Sequence, residues 1–434
     1  MGIPHNPVIR YNEEEIELAA LLRAFSRSQV EFDGHALTQK GWPAMTPTLS
    51  TRLQPLSISV FSELNRRKRE LLEQGRSFID LSIGSPDLPP PAKVRKALSE
   101  AVQDPGHYGY GMHGQPTFHQ AVAEFYVSRY GVTLSPQTEV LQLMGSQDGL
   151  GHLAMALLNP GDIVLVPDPG YPIYSASVVI AGGELYPMPL REENRFLPNL
   201  DEIPQEIAHR AKMMILNYPS NPVTALADTQ FFAQVVQFAQ RYDILVVHDF
   251  AYSELVFDGL RPLSFLSVPG AREVGIEFNS LSKTFNMAGC RIGYAVGKKE
   301  LLDPLALLKS HLDYGLFLPI QRAAEVALTT DLSLLADQVH VYERRRDTLV
   351  NALAQHGWTV NPPKATMFIW ARLPNGHSSH KFALDLMEEA GVVVTPGYAF
   401  GPQGENHVRI ALVQPEAVLA EAGQRMGDHL RRRG

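Results

Sequence analysis

The chain has 434 residues, of which 45% are hydrophobic and 19% charged, and its formal net charge is −8. This length allows two domains with a large core. The negative charge argues against a large nucleic-acid-binding face, and no stretch approaches the roughly 20 apolar residues of a membrane span. The single cysteine, Cys290, excludes an intrachain disulfide and a multi-cysteine metal site. Because the N-terminus also lacks a secretion-signal pattern, we predict a cytoplasmic protein that binds neither nucleic acid nor membrane.

The first 90 residues divide into two segments. Residues 1–50 read as an N-terminal extension of unknown role, in which Glu13–Phe25 fits one amphipathic helix. A helical pattern at Ser57–Gln74 and a short strand at Phe78–Ile83 follow. We expect this second segment, 51–90, to contribute to a smaller C-terminal domain.

The middle of the chain, about 91–310, alternates strands with helices. The predicted strands are Val140–Met144, Ile163–Val166, Met213–Leu216 and Ile244–His248. The predicted helices begin at about Gly149 and cover Ile173–Ala181 and Thr229–Tyr242. The apolar strand runs lack polar alternation, as expected of strands that are buried on both faces. The pattern predicts an α/β domain with a mostly parallel sheet covered by helices.

After about residue 310 the pattern changes to long helical stretches with a few short strands. The predicted elements are the strands Met367–Ala371, Val392–Thr395 and Val408–Ala411, a helix near His380–Ala390 and a closing helix. This pattern favours a smaller α+β domain over 311–434.

Several polar residues fall at or just after strand ends in the α/β domain. Asn221 follows one strand and precedes a proline, while Asp249 ends the next strand, with Tyr252 three residues on. Lys283 follows a further strand, and Arg291 lies eight residues beyond it. Each residue alone fits a common structural role, such as a turn asparagine or a capping aspartate. Together they indicate one site, because ligands gather at the carboxyl ends of parallel strands.

The run Ser280-Leu281-Ser282-Lys283, followed by Arg291-Ile292-Gly293, resembles the lysine motif of fold-type I, pyridoxal-5′-phosphate-dependent class I/II aminotransferases. The resemblance covers nearly everything from Leu56 onward, and it is nearest to the alanine (glutamate–pyruvate) and LL-diaminopimelate aminotransferases. Other similar segments are Asp168–Pro172, Gly275–Phe278, Lys309–Gly315 and His407–Leu412, of which the last two lean towards alanine-type members. The resemblance implies a large cofactor-binding domain, a smaller domain and a homodimer with shared active sites.

The resemblance also implies a role for each residue near the cofactor ring. Lys283 would bind the cofactor aldehyde as an imine and then move a proton from the substrate Cα as general base and acid. Asp249 would keep the ring nitrogen protonated, which makes the ring a stronger electron sink. Asn221 and Tyr252 would hydrogen-bond the phenolic oxygen of the ring, and Tyr171 would stack on the ring.

A phosphate cup is expected at the turn 145–149, whose glycines lie between a strand and a helix. The residues expected around the phosphate are Ser146, Gln147, Ser280, Ser282 and Arg291. Asp148 in this turn disfavours an anion unless its side chain points away. Tyr108 and Tyr110 are each one residue from the place of the family tyrosine that reaches the phosphate of the neighbouring subunit, so both remain candidates.

On the substrate side, Arg409 would clamp the α-carboxylate with two parallel hydrogen bonds, beside Asn221. Gly84 would let the main chain approach the same carboxylate.

Two departures from the family pattern bear on substrate specificity. The family pattern Asn-Pro-Thr-Gly reads here as Asn-Pro-Val-Thr, ending at Thr224, and Cys290 stands where close relatives carry tryptophan.

These observations predict a ping-pong aminotransferase that uses L-alanine or L-glutamate with pyruvate or 2-oxoglutarate. The alternatives are an LL-diaminopimelate aminotransferase or a specialised biosynthetic one. A lyase or decarboxylase would use the same lysine and aspartate, since fold does not fix function. A noncatalytic cofactor-binding regulator would need a DNA-binding module, and residues 1–50 are too short and too weakly basic to supply one.

Overall fold

The computed structural model describes residues 48–56, 60–331, 333–374 and 377–433, and one compact unit spans Ser50–Gly434. The helix predicted at Glu13–Phe25 lies outside the described residues, as does nearly all of the predicted extension. Within the described ranges, no helix combines the length and the apolar character that a bilayer crossing requires.

The described residues form twelve strands in three sheets. The strands are β1 (Ile79–Asp80), β2 (Val140–Leu143), β3 (Ile163–Asp168), β4 (Glu184–Pro189), β5 (Ala211–Asn217), β6 (Leu245–Asp249), β7 (Gly275–Ser280), β8 (Gly293–Gly297), β9 (Phe368–Arg372), β10 (Val392–Val393), β11 (Thr395–Pro396) and β12 (His407–Ala411). The helices are Val60–Glu73, Ala92–Ala101, Pro116–Tyr130, Ser146–Leu157, Pro172–Ala181, Gln205–Arg210, Thr229–Tyr242, Ala271–Val274, Leu281–Thr284, Lys299–Leu312, Leu318–Leu328, Ser333–Gln355, Ser379–Asp385 and Glu416–Arg433.

The central sheet has seven strands in the order β2-β8-β7-β6-β5-β3-β4. Strand β8 runs antiparallel to both of its neighbours, and the other pairs are parallel. The predicted mostly parallel α/β sheet is therefore confirmed. The sequence pattern missed β4, a half-exposed edge strand that carries two prolines, and β8, which has a glycine at each end.

The remaining strands form two small sheets. β1 pairs in parallel with β10, and β9, β11 and β12 form an antiparallel sheet with β12 in the middle. The single strand predicted at Val392–Thr395 is wrong, because the chain changes partners at Val394 and its two halves join different sheets. The strand predicted at Phe78–Ile83 shortens to β1, because only Ile79 and Asp80 pair in the ladder with β10.

Two helix predictions also need correction. The helix predicted to begin at about Gly149 begins at Ser146, so Ser146 and Gln147 belong to its first turn. The helix predicted near His380–Ala390 is an α-helix, Ser379–Asp385, followed by a π-helical turn, Leu386–Ala390. Such turns interrupt the 3.6-residue period on which the prediction depends.

Two large apolar cores meet beside the strand ends. One core packs helices against the central sheet, and Phe232, Val246 and Phe250 lie within it. The other core lies around β9 and β12. The segment that follows β6 enters this second core, where the Thr366 N–H donates to the carbonyl oxygen of Leu255 at 2.7 Å. The carboxyl end of β6 is thus held at the junction of both cores.

Candidate active site

A cleft of about 360 Å³ lies at the carboxyl ends of β5, β6 and β7. The residues expected from the sequence that line it are Gly84, Ser146, Gln147, Tyr171, Asn221, Asp249, Tyr252, Ser280, Ser282, Lys283, Arg291 and Arg409. The structure thus brings together residues that lie far apart along the chain, from Gly84 to Arg409.

Lys283 lies in the short helix Leu281–Thr284 that directly follows β7. Ser280 caps this helix, since its hydroxyl accepts a hydrogen bond from the Ser282 N–H at 3.2 Å. The ammonium group of Lys283 donates to the carbonyl oxygen of Gly84 at 2.6 Å. Burial, together with the positive charges of Arg409 and Arg291, lowers the pKa of Lys283 from 10.5 to about 8. A neutral, nucleophilic amine is therefore accessible near neutral pH.

Asp249 is a buried carboxylate at the end of β6. It accepts hydrogen bonds from the Tyr174 hydroxyl at 2.7 Å and from the Ala251 N–H at 3.1 Å. Burial raises the pKa of Asp249, and these two hydrogen bonds oppose that rise. No lysine, arginine or histidine of the described residues forms an ion pair with it. A cationic ligand atom in the cleft would therefore find a buried acid available to it.

Asn217, the last residue of β5, joins two of the predicted site residues. Its side-chain N–H₂ donates to the carbonyl oxygen of Asp249 at 2.8 Å, and its side-chain oxygen accepts from the Asn221 N–H at 2.7 Å. One amide thus fixes the end of β6 relative to the loop after β5.

The turn after β2 has the geometry of an anion site. Gly145 has φ of +81°, and no side chain caps the helix that begins at Ser146. Its first N–H groups and its positive dipole end are therefore available to an anion. The Arg291 guanidinium lies against Gly145, where a Cβ would collide with it. Asp148 is absent from the described lining of the cleft and accepts instead from the Met144 N–H at 3.1 Å.

Arg409, on β12, is a buried residue of the cleft lining. It donates to the side-chain oxygen of Asn221 and to the carbonyl oxygen of Ser82, both at 2.8 Å. The rings of Phe368 and Phe400 lie at 4.2 and 4.7 Å from its guanidinium carbon. Its Nε is buried without a hydrogen-bond partner in the described part of the chain. Burial lowers the pKa of Arg409 to about 10, so the group stays charged at neutral pH.

Gly84 and Thr224 show why particular residue types matter near Arg409 and Asn221. A Cβ at position 84 would collide with the Phe368 ring that packs on Arg409. Thr224 has φ of +58° and donates its N–H to the Ser220 carbonyl oxygen at 2.9 Å. The turn after Asn221 therefore keeps the left-handed conformation that glycine favours, although a β-branched residue occupies it.

Tyr108 and Tyr110 lie outside the described lining of the cleft. Their exposed fractions are 63% and 83%, and the Tyr108 hydroxyl donates to the Val102 carbonyl oxygen at 2.8 Å. The structure leaves their expected contact with a neighbouring subunit as a prediction.

Cys290 packs against the core that lies between the central sheet and its helices. Burial raises the pKa of its thiol, which agrees with a packing role.

Sequence reasoning missed other residues at the cleft. Tyr174 holds Asp249, and its position one helical turn after Tyr171 was the available signal. Ser82 acts through its main chain and Phe368 through its ring, so residue type alone did not reveal them. Further lining residues are Leu64, Asn65, Lys68, Ser85, Leu150, Ala251, Ala288 and Val393.

Comparisons with known proteins identify the family of the chain. A sequence profile described as "Aminotransferase class I and II" matches residues 76–425. An LL-diaminopimelate aminotransferase from Syntrophobacter fumaroxidans is 46% identical over 376 residues, covering 86% of this chain and 97% of the relative. An enzyme of the same name from Dehalococcoides mccartyi is 45% identical over 372 residues, covering 86% and 96%. The substrate-bound structure of BacF from Bacillus subtilis superimposes with a TM-score of 0.85 at 40% identity, covering 88% of this chain and 98% of that one.

The fold is that of the type I pyridoxal-phosphate-dependent transferases. The chain belongs to the class I and II aminotransferases, whose cofactor is pyridoxal 5′-phosphate, and it is an aminotransferase. The cleft fits this cofactor chemically. Arg291 and the open helix end suit a phosphate, the buried Asp249 suits a protonated ring nitrogen, and Lys283 supplies an amine for the aldehyde.

Proposed function

We propose that this enzyme transfers an amino group between LL-diaminopimelate and a 2-oxo acid, with Lys283 as the lysine that binds the cofactor and moves the proton. The reaction class follows from the family. The substrate is proposed from relatives 43–46% identical that carry the name LL-diaminopimelate aminotransferase. The observation that carries the assignment of Lys283 is its half-buried amine in the lining of the cleft, where its pKa is lowered to about 8.

In the proposed reaction, Lys283 works as a base and then as an acid. Bound pyridoxal phosphate supplies the electron sink that makes the substrate Cα–H bond acidic. The neutral Nζ of Lys283 accepts the Cα proton and later gives a proton back, which requires a pKa near the working pH. The Gly84 carbonyl oxygen, 2.6 Å away, holds this nitrogen at the floor of the cleft.

Arg409 is proposed to hold the substrate α-carboxylate. The planar guanidinium is fixed between two aromatic rings, and it is oriented by Asn221 and by the Ser82 carbonyl oxygen. Its remaining N–H groups, including the unpartnered Nε, can form a fork with a carboxylate. Because the group is desolvated before substrate arrives, each hydrogen bond it makes is strong.

The cofactor contacts are proposed as the sequence predicted them. Asp249 would hold the ring nitrogen, Asn221 and Tyr252 would hydrogen-bond the phenolic oxygen, and Tyr171 would stack on the ring. The residues proposed for the phosphate are Ser146, Gln147, Ser280, Ser282 and Arg291. All of these line the cleft, which supports one shared ligand.

A homodimer is proposed from an exposed aromatic surface. Tyr108 packs on Phe317 and Tyr110 on Tyr314, and all four side chains are exposed in the single chain. Exposed aromatic clusters of this kind mark protein interfaces. In the dimer, Tyr108 or Tyr110 would reach the phosphate of the partner subunit. Function in the cytoplasm is proposed from the single cysteine and the biosynthetic relatives.

L-alanine or L-glutamate remains the second candidate donor. The segments Lys309–Gly315 and His407–Leu412 favour it, because they resemble alanine-type members of the family. This candidate keeps every proposed role and changes only the side-chain pocket.

The deciding experiment is a spectrophotometric titration of the purified enzyme with single amino acids in the absence of a 2-oxo acid. We expect LL-diaminopimelate to convert the cofactor to its pyridoxamine form at lower concentration than L-alanine or L-glutamate, with one oxo product released per site. Lys283→Ala should bind cofactor without this conversion. A preference for L-alanine would favour the second candidate. Release of carbon dioxide or ammonia with the spectrum unchanged would overturn amino transfer.

A further inference from the structure

A buried lysine lies directly behind the turn proposed to bind phosphate. Lys309, on the helix Lys299–Leu312, donates to the carboxylates of Asp148 at 2.9 Å and Asp313 at 2.8 Å. All three side chains are at most 11% exposed. We call these three residues the Lys309 cluster. Two carboxylates and one ammonium group give the Lys309 cluster a formal charge of −1. The Nδ1 atom of His152 lies 2.8 Å from a carboxylate oxygen of Asp148.

Asp148 connects this cluster to the phosphate turn. It belongs to the first turn of the helix that begins at Ser146, and it accepts the Met144 N–H just before Gly145. A carboxylate at this place helps to shape the turn, but its charge opposes anion binding by the same helix end. Lys309 offsets that charge and also draws the carboxylate away from the cleft.

Asp313 connects the cluster to a second region. Its carboxylate accepts the Gly315 N–H at 2.9 Å, and a Cβ at position 315 would collide with the Gly111 main chain. Gly111 directly follows Tyr110. The same lysine therefore supports both the phosphate turn of its own chain and the segment proposed to reach the phosphate of a partner.

We propose that Lys309 is a positioning residue for cofactor phosphate binding, because it neutralises Asp148 and holds the Met144–Gly149 turn in its anion-binding shape. This inference rests on the proposed role of that turn. It assigns no contact between Lys309 and the cofactor, since its ammonium already binds two carboxylates.

The test isolates the phosphate from the rest of the cofactor. Pyridoxamine 5′-phosphate and pyridoxamine are titrated into the full chain stripped of cofactor. The dissociation constant of pyridoxamine divided by that of pyridoxamine 5′-phosphate reports how much the phosphate contributes to binding. We expect Lys309→Met to reduce this ratio on the order of tenfold, since a buried charge interacts with a phosphate across roughly 10 Å at an effective dielectric constant of about 20. The double variant Asp148→Asn/Lys309→Met should restore it to within about threefold. Lys299→Met is the control, because Lys299 is an exposed, ion-paired lysine on the same helix.

Two results would overturn the inference. One is an unchanged ratio in Lys309→Met, and the other is a double variant as weak as the single one. If Lys309→Met fails to fold, Asp148→Asn decides alone. It removes a negative charge while Lys309 keeps its contact with Asp313, so the inference expects a ratio several-fold above that of the wild type, and an unchanged or lower ratio would refute it. A wild-type ratio near one would instead refute the proposed phosphate site. The wild-type measurement therefore distinguishes a failure of the proposed site from a failure of the inference about Lys309.

Discussion

Removing one hydroxyl group tests how the protein keeps Asp249 ionised. Tyr174→Phe deletes the hydrogen bond of 2.7 Å to Asp249 and leaves the ring in place. A hydrogen bond to a charged group contributes about 1.5–3 kcal/mol, which corresponds to about one to two pH units at 1.36 kcal/mol per unit. Because the lost bond favoured the ionised form, its removal raises the pKa of Asp249 further above its ordinary range. The carboxylate then becomes protonated at higher pH.

The assay is the pH dependence of kcat/KM, measured from about pH 5 to pH 9. We expect the acid limb of Tyr174→Phe to move upward by about one unit or more. Tyr130→Phe is a matched control, since the Tyr130 hydroxyl donates at 2.7 Å to another buried carboxylate, Glu254, outside the described lining of the cleft. That variant should lose stability without moving the limb. If both variants lose stability and neither changes the profile, Tyr174 serves packing alone and the reasoning is refuted.

Four further outcomes are expected. Arg409→Lys keeps the charge but loses the planar fork, so KM for the amino acid should rise about tenfold or more while cofactor affinity is retained. An unchanged KM would contradict the proposed binding of the substrate carboxylate by Arg409. Thr224→Gly should raise the free energy of unfolding in urea by about 1 kcal/mol, because it relieves a left-handed β-branched residue; a loss of stability would contradict this. The rate at which the cofactor-free enzyme binds pyridoxal phosphate should rise with pH to a plateau, with a midpoint near the Lys283 pKa of about 8; a midpoint near 10.5 would show an unperturbed lysine. Gly84→Ala should displace Phe368 from Arg409 and raise KM more than it lowers cofactor affinity, whereas wild-type kinetics would show that the ring can move freely.

The sequence predicted those site residues whose signal is local. Lys283 and Asn221 each follow a recognisable buried strand, and Asp249 ends another. Parallel strands bring their carboxyl ends together without further information. The parallel sheet was predictable for the same reason.

The remaining features depend on contacts between distant segments. Ser82 meets Arg409 from 327 positions away and acts through a main-chain oxygen, which no residue type marks. The partner change at Val394 depends on which edges are free, and the start of the helix at Ser146 lacks the side-chain cap that marks most helix starts.

The contact between Ser82 and Arg409 has a consequence for biosynthesis of the enzyme. A growing chain that ends at Gly297 already contains all seven strands of the central sheet, together with Lys283 and Asp249. It lacks Arg409 and the strand that carries it, although Ser82 was made early. The proposed carboxylate clamp can therefore close only after β12 has been synthesised, since domains fold as their residues emerge. An incomplete chain released by a stalled ribosome would lack the group proposed to select amino acids by their carboxylate.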